Sequence, residues 1–312
     1  MCGFFIRSWS NYTTCLDPTD FTFRKSINNL TTIGLTTSLT ALILSLTILV
    51  SFPSLRCTRN NIHANMFLSM SLNNIFWLIW YHFVLNDSSV VSQNHLWCRG
   101  LQVITTYFML TTYFWMLSEG LYLRILLLRT SARNESTQLP YLLVGWILPV
   151  LFVAIYGTFR HLYENELCWM ETHDSIFLLA VPVACVISIN IFLLCSVIKI
   201  LRSKLQFENN FRRQQSDVAL KSARAVLILI PIFGLHFILL PIRPLSGSDL
   251  EYFYEIFSCI STSTQGLSVS ILLCFCNPDV WNMFRRRNHY VSITIVVSQI
   301  PFVTLHMRAL RA

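Results

Sequence analysis

Charged side chains are scarce in this sequence: Asp, Glu, Lys and Arg make up 12% of its 312 residues, while 54% are hydrophobic and the mean hydropathy is +0.54. An ordinary soluble domain carries about 25% charged residues, so the deficit excludes a water-soluble fold and marks a membrane protein. Other absences narrow the chemistry. The ten cysteines include no C-x-x-C pair with zinc spacing, and Ser-His-Asp order, metal clusters and a glycine-rich phosphate loop are all missing, which leaves catalysis and any cofactor without support. The opening MCGFFIRSWSNYTTC lacks the sustained apolar core and small-residue cleavage site of a signal peptide. Two readings stay open there: the first membrane helix is its own signal, or sequence is missing ahead of Met1.

What is present is apolar length. A spanning helix needs about 20 mostly apolar residues, and stretches near 28–52, 62–85, 98–128, 139–161, 175–201, 222–244 and 253–276 qualify. The expected fold is an all-α membrane protein, a seven-transmembrane helix bundle over 28–276. With the N-terminus outside, the inner segments hold fifteen basic residues against four acidic ones, and the outer segments six against ten. Inner loops carry the Lys/Arg excess in membrane proteins, so the N-terminus is outside. The net charge of +8 is then spent on the inner membrane face, and lipid, not nucleic acid, is the expected partner of those charges. After span 7, NPDVWNMFRRRNH (277–289) reads as a short amphipathic helix, with Val280, Trp281 and Phe284 entering the interface and Arg285 to Arg287 meeting anionic lipid. Residues 290–312 form a tail of a different character.

Orientation gives individual residues a depth. Asn11, Asn29 and Asn86 open N-x-S/T sites outside, where sugar can be added, whereas Asn134 falls inside; chance occurrence of so short a motif is the alternative. Cys98 begins span 3 and Cys168 lies in the outer loop before span 5; both face an oxidising compartment, and a bridge would pin that loop over the bundle. The alternative is two unpaired thiols. Glu119 lies twenty-one residues beyond Cys98, roughly 31 Å further inward. His63, on a span running the other way, reaches a similar inner depth, and a His and an acid at matching depth on neighbouring helices are natural partners. Glu119 meeting Arg124 locally is the competing arrangement. Span 6 carries Pro231 and Gly234 near its middle, a place to kink or to hinge. Asn73, Asn190, His236 and Gln265 are polar groups within spans that either line an aqueous outer cavity or hydrogen-bond between helices.

In order along the chain stand WSNYTTC, RCTRNNIHANMFLS, YFWMLSEGLYL, GW with Pro149, CW, NIFLLCSVIKILRSKL, KSARAVLILIPIFGLHF and TQGLSVSILLCFCNPDV. These pieces, from Trp9 to His289, resemble the secretin-like (class B) G-protein-coupled receptors for peptide hormones. Within that family LNN (72–74), WLIWY (77–81) and LPIRP (240–244) look most like calcitonin and calcitonin-gene-related-peptide receptors. The insect pigment-dispersing-factor and calcitonin-like diuretic-hormone receptors are equally similar, and an invertebrate neuropeptide receptor is expected.

The resemblance implies an extracellular peptide hormone entering the outer cavity and a heterotrimeric G protein, typically stimulatory and raising cyclic AMP, at the inner face. It implies a switch made of His63, Glu119, Pro231 and Gly234, a Cys98–Cys168 bridge, and cavity positions at Asn73, Trp169, His236 and Gln265. Arg59, Lys199, Arg202, Lys204, Lys221 and Arg224 would face the G protein. Residues 1–27 match only the last piece of a hormone-binding ectodomain, so weak peptide binding is expected. The family's polar partners in spans 6 and 7 fall on Val226 and Leu273 here, its Asn in span 3 on Thr112 and a Gly in span 4 on Ile147. A thinned polar network implies raised basal signalling.

Overall fold

The computed structural model describes residues 18–53, 57–85, 88–128, 138–170, 174–207, 249–277, 280–283 and 285, and among them every regular element is helical. The first helix, α1 (Pro18–Ser51), is 34 residues long, about 51 Å. That exceeds a hydrocarbon core of about 30 Å. It begins ten residues earlier than the apolar run foretells, because its first turns continue outward as helix. α2 (Thr58–Trp80) passes into a π-helical turn, Tyr81–Leu85. A short α3 (Ser88–Gln93), not foreseen from hydrophobicity, caps the outer side before α4 (Leu96–Leu128) runs back inward. α5 (Leu139–Leu142) and α6 (Leu148–Tyr163) form one span through a π turn, Leu143–Ile147. α7 (Phe177–Phe207) follows, then α8 (Asp249–Ser263) and α9 (Gln265–Ser270), which ends in a further π turn, Ile271–Phe275.

Three described spans, Lys25–Ser51, Leu139–Tyr163 and Phe177–Ile200, are long and apolar enough to cross a membrane, and α8 with α9 forms a fourth, bent by 42°. α2 and α4 are helices of spanning length but less apolar. They carry the buried polar groups His63, Asn74, Thr111 and Ser118. Span 6 of the sequence reading, with Pro231, Gly234, His236, Lys221 and Arg224, lies outside the described residues.

α4 is the centre of the bundle, packing against α2, α6 and α7, while α1 packs against α2, α8 and α9. One core cluster joins Leu42 of α1, Phe67 of α2, Trp115 of α4 and Val269 of α9; a second joins Phe114 of α4, Val153 of α6 and Val183 of α7. The outward faces are apolar too, with Ile33, Leu44, Leu151, Ile155 and Phe192 exposed, as lipid contact requires. Lipid tails are as apolar as leucine, so helix association here rests on close packing and interhelical hydrogen bonds.

Two irregularities show how these hydrogen bonds are kept satisfied. Pro149 in the first turn of α6 has no N–H to give the carbonyl four residues back, that of Gly145, and in the same π turn the Trp146 carbonyl accepts an interhelical hydrogen bond from Tyr107 Oη at 3.1 Å. Gly145 in the same turn lets the Trp115 ring in so closely that a Cβ would stand 2.3 Å from it. At the α8–α9 bend, the Ser38 hydroxyl donates to the Ser263 carbonyl and accepts from the Leu267 amide at 3.2 Å, the two groups that a straight helix would join to each other.

After α9 the chain turns to a helical segment at 280–283. Val280, expected in the membrane interface, is instead buried in the first core cluster, while Trp281 is exposed and its indole N–H donates to the Phe275 carbonyl at 2.7 Å. A helix has only one inward stripe, and here it takes the valine.

Candidate functional site: an outer cavity and an inner ion pair

A cavity of about 520 Å³ opens between α1, α2, α4 and α8. α2 supplies Asn73, Asn74 and Trp77 to its wall and the π turn after it Tyr81, α4 supplies Thr112 and Tyr113, and α8 and α9 supply Cys259 and Gln265. Asn73 Oδ1 and Asn74 Nδ2 are both buried and have no hydrogen-bond partner among the described residues. Cys259 Sγ lies 3.0 Å from Thr31 Oγ1, another buried wall residue.

The same two helices carry the second feature. His63 Nε2 lies 2.8 Å from Glu119 Oε1, with both side chains nearly excluded from solvent. His63 precedes Asn74 by eleven residues on α2, and Glu119 follows Thr112 by seven on α4. The pair therefore sits roughly 10–17 Å deeper than the cavity wall along antiparallel helices. The local alternative for Glu119 is not formed: Arg124 lies 5.7 Å over the Phe192 ring of α7. An acid that costs several kcal/mol alone in hydrocarbon is here tied to an opposing imidazole. Between pair and cavity, Ser69 Oγ lies 2.8 Å from Thr111 Oγ1 and 3.2 Å from Thr112 Oγ1, tying α2 to α4 a second time. Thr112 thus fills its position as a hydrogen-bonding residue, and Leu273 joins the apolar core instead of a polar network.

Residues 24–269 match the model of the family described as "7 transmembrane receptor (Secretin family)". The chain belongs to the secretin family of seven-transmembrane receptors. It is 34% identical over 288 residues to the calcitonin gene-related peptide type 1 receptor of Danio rerio, covering 91% of this chain and 60% of that protein. It is 32% identical over 285 residues to the Homo sapiens calcitonin receptor (90% and 59%) and 28% identical over 290 residues to the Xenopus laevis corticotropin-releasing factor receptor 2 (90% and 69%). The chain spans about 60% of the length of the calcitonin-type relatives it matches.

In this secretin-family chain, Cys98 and Cys168 are joined by a disulfide, with Cα atoms 5.6 Å apart. Trp169 does not line the cavity: it is buried on the other side of α4, edge-on to Tyr156 at 6.2 Å. Asn73 and Gln265 are in the wall. Asn190, offered as a possible cavity group, packs instead over Gly120 of α4. Of the residues expected at the inner face, Arg59 is half-buried in the first turn of α2, Lys199 is exposed, and Arg202 and Lys204 stand on the last turns of α7. Asn29 is exposed on α1, while Asn11 and Asn86 lie outside the described residues.

Residue-by-residue reading missed what holds the outer loop. Leu167, Cys168 and Trp169 all have positive φ, 47°, 53° and 61°, a conformation that costs about 1 kcal/mol or more per non-glycine residue. Arg160, only 4% exposed, donates to the Trp169 carbonyl at 2.7 Å, to Tyr156 Oη at 3.2 Å and to Glu164 Oε2 at 3.1 Å. Ser175 donates to the same Glu164 oxygen. From the other side Asn94 accepts from the Cys168 amide at 3.0 Å and donates to the Asn165 carbonyl at 2.8 Å, and Arg99 donates to Asn165 Oδ1 at 2.6 Å. The one sequence signal available was Arg160 and Glu164 at i,i+4, which resembles any solvated helix pair.

Proposed function

We propose that this chain is the membrane-embedded part of a plasma-membrane receptor for a peptide hormone of the calcitonin-like or pigment-dispersing type, signalling through a heterotrimeric G protein. One observation carries the reading: α2 and α4 wall an outward cavity at one level and are clamped to each other by His63 and Glu119 at a deeper one. Peptide seated between the helices at the outer level favours arrangements that differ at the inner level, and a ligand shifts such an equilibrium by its differential affinity for the two states. The inner ends then part beside Arg59, Lys199, Arg202 and Lys204, which meet the G protein with Lys221 and Arg224. Pro231 and Gly234 give the hinge, and His236 joins Asn73 and Gln265 at the peptide. Relatives named as calcitonin and calcitonin gene-related peptide receptors support the ligand class.

The test is cyclic AMP in cells that display the chain at their surface, given a panel of calcitonin-like and pigment-dispersing peptides. One peptide class should raise cyclic AMP, and Glu119→Leu, which removes the clamp without adding bulk at the outer cavity, should raise the level before any peptide is added. A displayed chain that answers no peptide and whose Glu119→Leu variant matches cells lacking the chain is not a receptor of this kind. Ion flux without peptide would instead identify a channel.

A further inference from the structure

Asn73 stands at the peptide in the proposed receptor, yet what its side chain and that of the adjacent Asn74 recognise there is a separate matter. Asn74 is 6% exposed, and among the described residues neither its Nδ2 nor the buried Oδ1 of the neighbouring Asn73 has a hydrogen-bond partner. Both side chains line the same cavity. Buried polar groups are almost always hydrogen-bonded, and leaving one unmade is unfavourable. Two unmade bonds on consecutive residues, one donor and one acceptor, mark a place built for a ligand group.

From this pair we infer that the α2 wall of the cavity is a subsite for a neutral carboxamide. Its N–H₂ donates to Asn73 Oδ1 while its carbonyl accepts from Asn74 Nδ2. A carboxylate matches only Asn74 and meets the Asn73 oxygen as a second acceptor. An ammonium matches only Asn73, and a hydrocarbon leaves both bonds unmade. The inference deepens the receptor reading, in which the cavity takes an end of a peptide: that end presents an Asn, Gln or terminal amide to α2.

The cavity contains its own anchor for a test that needs no identified peptide. Cys259, a free thiol, lines the same space. Its thiolate displaces methanesulfinate from a methanethiosulfonate R–S–SO₂CH₃, forming Cys259–S–S–R as the S–SO₂ bond breaks and the thiol proton passes to solvent. The full chain in lipid nanodiscs is treated with three reagents of equal length, ending in a carboxamide, a carboxylate or an isopropyl group. Each adduct is located by peptide mapping and then titrated with 2-mercaptoethanol, with Cys259→Ser as background.

The carboxamide adduct should survive about tenfold more reductant than the other two, as a pair of hydrogen bonds warrants. Asn74→Leu and Asn73→Leu should each reduce that advantage to near unity. The comparison on the unaltered chain stands even where a variant fails to fold. Equal release of all three adducts, an advantage for the carboxylate, or no reaction at Cys259 overturns the inference. Capture is independent of signalling: amide-selective capture in a chain without cyclic AMP response sinks only the receptor reading, and the converse result sinks only the subsite.

Discussion

At the scale of single residues, Arg160 shows how the environment, not the residue type, sets a role. By composition it is one of six outer basic residues; in the fold it is the donor hub that holds three left-handed residues and a disulfide-bonded loop over the bundle. Removing it leaves the Glu164 carboxylate and the Trp169 carbonyl with fewer partners in a nearly dry setting. Loss of one side of such a pair costs about 2–4 kcal/mol. Arg160→Gln should therefore lower the apparent melting temperature in nanodiscs by about 5–10 °C, read by thiol-dye unfolding. An unchanged melting temperature would show that the loop is held by the disulfide alone. His63 and Glu119 illustrate the opposite case, since depth counting alone put them at one level. What it could not settle was the rotation of each helix, and hence whether Glu119 turned to His63 or to Arg124.

Among the elements, the spans depart from straight α-helix where packing demands it. The π turn at 143–147 follows from Pro149 and admits Trp115 against Gly145, and the α8–α9 bend is accommodated by Ser38. Small residues permit these approaches, so their substitutions should separate sharply. Gly145→Ala sets a methyl 2.3 Å from an indole carbon, whereas the nearest atom to a methyl at Gly157 is 3.9 Å away. Overpacking of this kind costs about 1–3 kcal/mol, while an unhindered Gly→Ala within a helix gains roughly 0.5–1 kcal/mol. Size-exclusion profiles after heating should show Gly145→Ala losing its monodisperse peak at lower temperature than the parent and Gly157→Ala at slightly higher. The apolar runs foretold each described span to within a few turns. They missed α3 and the outward extension of α1, because neither is apolar enough to register as membrane.

For the whole molecule, orientation follows from charge. Fifteen basic residues on one side against six on the other is a bias the insertion machinery reads, and it puts the disulfide and the cavity outside and the tail of α7 inside. Glycosylation reports this directly. Treatment with an amidase that strips N-linked sugar should shift the expressed chain on a gel, replacing Asn11, Asn29 and Asn86 by Gln should abolish the shift, and Asn134→Gln should change nothing. A shift that depends on Asn134 would invert the topology and move the cavity to the cytosol.

Sequence by itself determined that the chain is a helical membrane protein, which way it faces, and which residues share a depth. Those properties depend on summed transfer free energy, on counted charges and on a fixed rise per residue. Only the tertiary structure decided which side chains at a given depth meet. That outcome depends on each helix's rotation and on its departures from ideal geometry, such as the turns at Gly145 and Thr264, and these arise from packing between segments far apart in the chain. Hence Trp169 left the cavity for the core behind α4, Val280 left the lipid interface, and Asn73 and Asn74 line an open space with one donor and one acceptor unmet among the described residues.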